Sequence, residues 1–197
     1  MNSIERNDHM ASSLVYPEIW PIPIDLFVSK KNLSLKHADL SLTDAYGNLV
    51  FMVDDRSSNS AHRNRRVLLD AGGNPLISIY HDDGGSWKGF RGDSREWKDL
   101  IFRVRRTLHS RSRTELEVFL IGENWVDSKS DFKEKGCPFQ RSCTIYKANS
   151  IVAQTSLMYK LGKIFVGRRR FRLTIFPGFN DHTLVVALLV IFFDGRK

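Results

Sequence analysis

Two clusters of basic side chains are the residues whose types and spacing best suit a chemical role. Neither cluster is interrupted by an acidic residue. The first consists of Arg103, Arg105, Arg106, Arg111 and Arg113, and the second of Lys160, Lys163, Arg168, Arg169, Arg170 and Arg172. A guanidinium group presents a planar fork of donors that matches phosphate oxygens. The two clusters therefore suggest binding of anionic lipid headgroups or of nucleic-acid phosphate.

Alternating hydrophobicity predicts which arginines point outward. In residues 100–104 and 171–175, apolar side chains recur in the pattern of a strand with one buried face. The arginines interleaved with them then face solvent; these are Arg103, Arg105, Arg170 and Arg172. Two interpretations stay open: a solvated strand surface without a role, or a weak, salt-sensitive site for anionic headgroups. The second interpretation requires the two strands to present their arginines on one side.

Motifs for catalysis are absent from the sequence. The 197 residues contain no Gly-x-Ser-x-Gly elbow, no His-Glu-x-x-His pair and no phosphate-binding P-loop. The neighbouring carboxylates of Asp82 and Asp83 precede two glycines, a pattern typical of a turn. We therefore expect a non-enzymatic protein without catalytic residues.

The two cysteines give little support for a metal site. Cys137 and Cys143 are too far apart in sequence for the short spacing of a structural zinc site. They are expected to be buried free thiols, and neither a metal nor another cofactor is expected. So few cysteines also fit a reducing compartment, which favours a cytoplasmic location.

Length and composition predict one globular domain. Hydrophobic residues make up 42% and charged residues 26% of the chain, and 30 Lys and Arg against 22 Asp and Glu give a net charge of +8. Residues 1–13 are polar, without the apolar segment of a signal peptide, and are expected to be a disordered tail before a single domain at 14–197. The longest apolar run, residues 184–193, falls short of the roughly 20 residues that a spanning helix needs, so no transmembrane span is expected.

Short strands separated by tight turns are the main structural pattern. The turn sequence Asp-Ala-x-Gly-Asn occurs at residues 44–48 and again at 70–74. Glycine permits a positive φ, and Asp and Asn hydrogen-bond to nearby backbone, so both segments are predicted to be hairpin turns. Many short strands with such turns favour an antiparallel barrel or sandwich. The polar residues 55–64 and 107–114 are predicted to be exposed loops.

The last segment, residues 181–193, is ambiguous from its residues alone. Its β-branched side chains favour a strand, whereas its length and a possible N-cap at Asn180 or Asp181 favour a helix. A helix that is apolar on every face must be buried on every face, as inside a closed barrel. Periodicity leaves both structures open.

A series of short motifs occurs in order along most of the chain. They are Asp44-x-x-Gly47-Asn48-x-x-Phe51-x-Val53, Arg66-Val67-Leu68-Leu69-Asp70-Ala71-x-Gly73-Asn74-Pro75-Leu76, Trp87-Lys88-Gly89-Phe90-Arg91-Gly92-Asp93-Ser94, Asp99-Leu100-Ile101-Phe102-x-Val104, Arg141-Ser142-Cys143-x-Ile145-Tyr146 and Pro177-Gly178. In this order and spacing they resemble the plant LURP-one-related family, over about residues 21–193.

This resemblance implies a mainly β, tubby-like fold. Such a fold is a closed antiparallel barrel of about twelve strands around a central, hydrophobic C-terminal helix, which makes residues 181–193 helical by analogy. The family is grouped with tubby C-terminal domains and phospholipid scramblases. One departure is the sequence Phe179-Asn180-Asp181-His182 after Pro-Gly, where the family often has an acidic and aromatic pair. No lipid-binding residue of tubby proteins is transferred to this chain.

The resemblance also implies a function. It suggests a membrane-tethered, phosphoinositide-binding or transcription-related signalling module in pathogen defence, in the cytoplasm and at the plasma membrane or in the nucleus. The alternative is a protein-interaction or structural barrel without lipid binding, whose protein partners the sequence does not identify. A nucleic-acid-binding role is weaker, because no recognition helix is evident.

Overall fold

Twelve antiparallel strands and one helix make up the computed structural model, which describes residues 22–30, 38–54, 64–82, 84–110, 112–122, 129–158 and 170–194. The elements are β1 (Ile24–Lys30), β2 (Ala38–Thr43), β3 (Leu49–Asp54), β4 (Arg65–Asp70), β5 (Pro75–Asp82), β6 (Ser86–Arg91), β7 (Leu100–His109), β8 (Thr114–Leu120), β9 (Phe132–Cys137), β10 (Ser142–Lys147), β11 (Ser150–Leu157), β12 (Arg170–Ile175) and α1 (His182–Asp194). Short 3-10 turns at Trp97–Asp99 and Pro138–Gln140 precede β7 and β10.

Each strand pairs with its neighbours in sequence, and the first pairs with the last. β1 is antiparallel to β12, with Leu26 opposite Leu173, and this pairing closes the sheet into a barrel. The expected mainly β architecture is therefore confirmed, and of the two open alternatives the barrel is found and the sandwich is not. Closure satisfies the backbone donors and acceptors that an open sheet would leave at its edges.

Helix α1 fills the barrel. Every residue from 184 to 192 is 6% exposed or less. These residues share one core cluster with inward side chains from all twelve strands. The backbone N–H of Leu184 donates to Oδ1 of Asp181 at 2.9 Å, which caps the first turn. The predicted helix at 181–193 is confirmed, and its uniform apolar character follows from burial on every side.

The two Asp-Ala-x-Gly-Asn segments form the predicted hairpin turns with matching contacts. Backbone N–H groups of Asn48 and Asn74 donate to Oδ1 of Asp44 and Asp70, each at 2.8 Å. The side-chain amides donate to the second carboxylate oxygen of the same aspartate, each at 2.9 Å. These hydrogen bonds, led by those of the asparagine side chains, lower the pKa of both carboxyl groups.

Some sequence predictions differ from the structure or fall outside it. The predicted loop at 107–114 is wrong at both ends, because β7 continues to His109 and pairs with Thr114 at the start of β8. Strands β1, β6 and β9 were not predicted from the local sequence. The expected tail at 1–13 lies outside the described residues, as does nearly all of the predicted loop at 55–64.

Candidate functional site

The four predicted anion-binding arginines do not lie together. Arg103 and Arg105 are on β7, whereas Arg170 and Arg172 are on β12, five strands away in a barrel of twelve. Their outward orientation is as predicted: Phe102 and Val104 are 0% and 1% exposed, and the inward residues of β12 are equally buried. The two pairs face nearly opposite directions, so they act as two separate surfaces.

Neighbouring strands supply acidic partners that the linear clusters lack. Nη2 of Arg105 lies 3.0 Å from Oε2 of Glu117 on β8. Nη1 of Arg172 lies 3.3 Å from Oδ2 of Asp25 on β1. Each contact joins residues that are directly or diagonally adjacent across a strand pair, so sheet pairing partly neutralises both surfaces.

Other members of the two clusters are also engaged or fall outside the described residues. Arg113 pairs with Glu115 at 2.5 Å. The Arg106 guanidinium lies 5.0 Å from the ring centroid of Trp87, and partial burial lowers its pKa. Arg111 and residues 160–169 belong to the part of the chain that is not described.

A basic groove lies on the outer wall of β7–β10, with a volume of about 800 Å³. Its lining includes four cations, Arg105, Lys129, Lys133 and Lys135, against the two carboxylates of Glu117 and Asp131. Phe119 and Tyr146 also line the groove. An excess of positive charge in a concave surface attracts anionic ligands.

Strand register holds the groove's central charges in a row. Arg105 is opposite Glu117, Glu117 is opposite Lys133, and Lys133 is opposite Tyr146 across three successive strand pairs. Glu117 contacts both flanking cations, Arg105 at 3.0 Å and the Lys133 ammonium at 3.6 Å. Glu117 therefore holds two cations at fixed positions on rigid strands.

Two lysines at the groove have no ion-pair partner among the described residues, and one of them, Lys135, is opposite Glu115 on β8. Within the described ranges, neither Lys129 nor Lys135 has an acidic side chain within 4.0 Å. Asp131, which lies beside Lys129, accepts a hydrogen bond from the backbone N–H of Leu120 at 2.8 Å. An ammonium group without a protein counter-ion is suited to a phosphate oxygen.

Phe119 gives the groove an apolar part. It projects from the outer face of β8, yet it is only 7% exposed. The Arg105 guanidinium lies 5.4 Å from its ring centroid. A guanidinium stacked on an aromatic ring is less free to move, which favours a defined orientation of its donors.

Sequence reasoning missed three of the groove's four cations. Lys133 and Lys135 alternate along β9 as outward residues do, and this was the available signal. The inward position between them is occupied by Glu134, which is 0% exposed, so the strand lacks the expected apolar residue. Lys129 lies before the strand and has no periodic signal.

Glu134 and Cys143 are the unusual groups of the barrel interior. Both oxygens of Glu134 lack a hydrogen-bond partner among the described residues. Burial raises the pKa of Glu134 well above its ordinary value. Burial, and secondly the charge of Glu134, raise the pKa of the Cys143 thiol. Cys137 and Cys143 are both free and buried, as expected from the sequence.

No group of three or more potential metal ligands occurs among the residues that the structure describes. In the same residues, no helix has the length and apolarity required to cross a membrane.

Comparisons with known proteins agree with the fold. A family model described as LURP-one-related matches residues 24–194. The protein LURP-one-related 7 of Arabidopsis thaliana is 50% identical over 174 residues, which are 88% of this chain and 91% of that protein. LURP-one-related 15 of the same plant is 34% identical over 185 residues, 90% of this chain and 82% of that protein. An X-ray structure of a protein from Arabidopsis thaliana superposes with a TM-score of 0.63 at 31% identity, covering 89% of this chain and 91% of that one.

Proposed function

The chain belongs to the LURP-one-related family, and on that premise we propose that it is a non-enzymatic signalling module that binds anionic phospholipid headgroups, phosphoinositides among them, through the basic groove. This binding would tether the protein to the cytoplasmic surface of a membrane. A role in pathogen defence, with release from the membrane to the nucleus, belongs to the same proposal.

The observation that carries the proposal is the row of cations on β7–β9. Arg105 on β7 and Lys133 and Lys135 on β9 project on either side of Glu117 on β8, and Lys129 precedes β9. Each basic residue near an anionic membrane contributes about 1 kcal/mol, and salt screens this attraction. Of the arginines predicted from the sequence, Arg105 lines the groove and Arg103 adjoins it, whereas Arg170 and Arg172 face away from it.

Vesicle co-sedimentation of charge-matched variants tests the groove directly. Lys133→Gln/Lys135→Gln removes two charges from the groove without placing a new acid beside Glu117. Arg170→Gln/Arg172→Gln removes the same charge from the opposite wall. At low salt, we expect the first variant to bind phosphoinositide-containing vesicles about thirtyfold more weakly than wild type, since about 2 kcal/mol is lost. The second variant should bind nearly as wild type does.

Three outcomes would contradict the proposal. Equal losses for both variants would show that net charge, and not the groove, drives binding. A wild-type protein that does not bind anionic vesicles at low salt would favour the alternative function, a protein-interaction or structural barrel. Binding to nucleic acid in preference to vesicles would assign the same cations to phosphodiester recognition.

The non-enzymatic part of the proposal has its own measurement. We expect purified protein to contain no stoichiometric zinc by elemental analysis, because the sequence has no closely spaced ligand set. We also expect no hydrolase or transferase activity, because no nucleophile and base occur in a recognised motif. One tightly bound zinc ion per chain would contradict this expectation.

A further inference from the structure

Trp97 is an exposed aromatic residue beside the basic groove. Its side chain is 66% exposed, whereas Trp87 is 1% exposed in the core. Trp97 begins the short 3-10 turn between β6 and β7. An exposed tryptophan leaves a large apolar area in contact with water, and such area favours a less polar environment.

Cations surround the Trp97 ring. The Arg103 guanidinium lies 5.2 Å and the Lys88 ammonium 5.7 Å from its centroid. Two nearby acids pair with lysines, one of them a cation at the ring: Asp82 lies 2.7 Å from Lys88, and Glu96 lies 2.7 Å from Lys98. Asp99, in the same turn as Trp97, accepts a hydrogen bond from the Ser94 hydroxyl at 2.6 Å. An amphipathic indole with cations around it matches the headgroup layer of an anionic bilayer, which is negative outside and apolar beneath.

Strand register makes the Trp97 surface continuous with the groove. Arg103, which contacts Trp97, is opposite Lys88 on β6 and opposite Phe119 on β8. Phe119 in turn lines the groove together with Arg105. One outer wall, from β6 to β10, therefore carries both the exposed indole and the cationic groove.

We propose that this wall is the membrane-docking face, with Trp97 inserted into the interfacial layer of an anionic bilayer while the basic groove holds headgroups. The inference rests on the proposed function and adds the orientation of the barrel on the membrane. Charge complementarity selects an anionic bilayer as the occupant, and the indole supplies an apolar contribution that salt does not screen.

Binding of single-residue variants to anionic vesicles tests the anchor. Trp97→Ala is compared with Tyr46→Ala, which removes another aromatic side chain, 92% exposed, from the turn between β2 and β3. We expect Trp97→Ala to weaken partitioning about tenfold and Tyr46→Ala to have little effect. The Trp97→Ala deficit should persist as salt rises, whereas the deficit of Lys133→Gln/Lys135→Gln should shrink. Unchanged thermal unfolding of both alanine variants confirms that the fold is intact.

Fluorescence quenching by lipids brominated on their acyl chains separates insertion from headgroup contact. Wild type should be quenched on binding, and Trp97→Phe should lose most of that quenching. If the protein binds vesicles but shows no Trp97-dependent quenching, Trp97 does not insert, whereas headgroup binding by the groove still holds. This conclusion applies even if Trp97→Ala binds weakly. Equal binding by wild type and Trp97→Ala would also overturn insertion. Absence of any wild-type binding would overturn the proposed function and the anchor together.

Discussion

Glu134 is the residue whose chemistry is most at odds with its surroundings. Among the described side chains, it is the only fully buried carboxyl group. Because burial raises its pKa, the native protein keeps a proton that the unfolded chain releases above about pH 4.3. The native state thus binds more protons than the unfolded state in this range. The free energy of unfolding therefore falls as pH rises from that value towards the raised native pKa.

Glu134→Gln should remove this pH dependence, since an amide of the same shape does not ionise. We expect the variant to be more stable than wild type above about pH 4.3, with a gain that grows by about 1.4 kcal/mol per pH unit until the native pKa is reached. Urea unfolding at several pH values between 5 and 8 measures the gain. Glu96→Gln, which replaces an exposed carboxylate, is the control. Parallel pH profiles for wild type and Glu134→Gln would contradict this account.

The residue scale also shows what sequence reasoning can and cannot identify. The outward direction of Arg105 and Arg172 could be predicted, because it depends only on local alternation. Their partners Glu117 and Asp25 could not, because register between strands brings them close, and Asp25 is 147 positions from Arg172. A run of basic residues that contains no acid in the sequence can therefore still be neutralised in a sheet, by acids on the neighbouring strands.

Helix α1 is the element whose integrity matters most to the barrel. Leu188 is 0% exposed at its centre. A carboxylate buried there costs several kcal/mol, comparable with the whole stability of a domain. We expect Leu188→Asp to be insoluble or unfolded, as judged by soluble yield and thermal unfolding. Thr183→Asp is the control, because an acid in the first helical turn is favourable. A soluble, cooperatively unfolding Leu188→Asp protein would contradict the prediction.

Clean alternation allowed β12 to be predicted, whereas an interior exception hid β9. Residues 171–175 alternate fully and form most of β12. Strand β9 was missed because Glu134 and Gly136 take positions where apolar side chains are expected. For α1, local propensity for a strand competed with helix length. The helical structure depends on enclosure by twelve strands, and a local sequence pattern does not encode that enclosure. The family resemblance was what predicted the helix.

For the whole molecule, the barrel decides which charges can act together. Alternation predicts that a side chain points outward, but it does not predict where around the barrel its strand lies. The separation of β7 and β12 by five strands therefore could not be predicted from the sequence. The candidate groove joins residues of four consecutive strands, and only Arg105 among its cations belonged to a predicted set. The net charge of +8 indicated an anionic partner, but the wall that would meet it required the three-dimensional order of the strands.

The position of α1 after all twelve strands has a consequence for synthesis. On a translating ribosome, every strand leaves the exit tunnel before residues 182–194 do. Until then the inward side chains lack the helix that fills the barrel interior. In addition, β1 has no partner on one edge until β12 has been synthesised. The inward apolar side chains of the nascent chain therefore lack their native contacts with α1 until synthesis is nearly complete. Chaperone protection during that interval would set the yield of native protein.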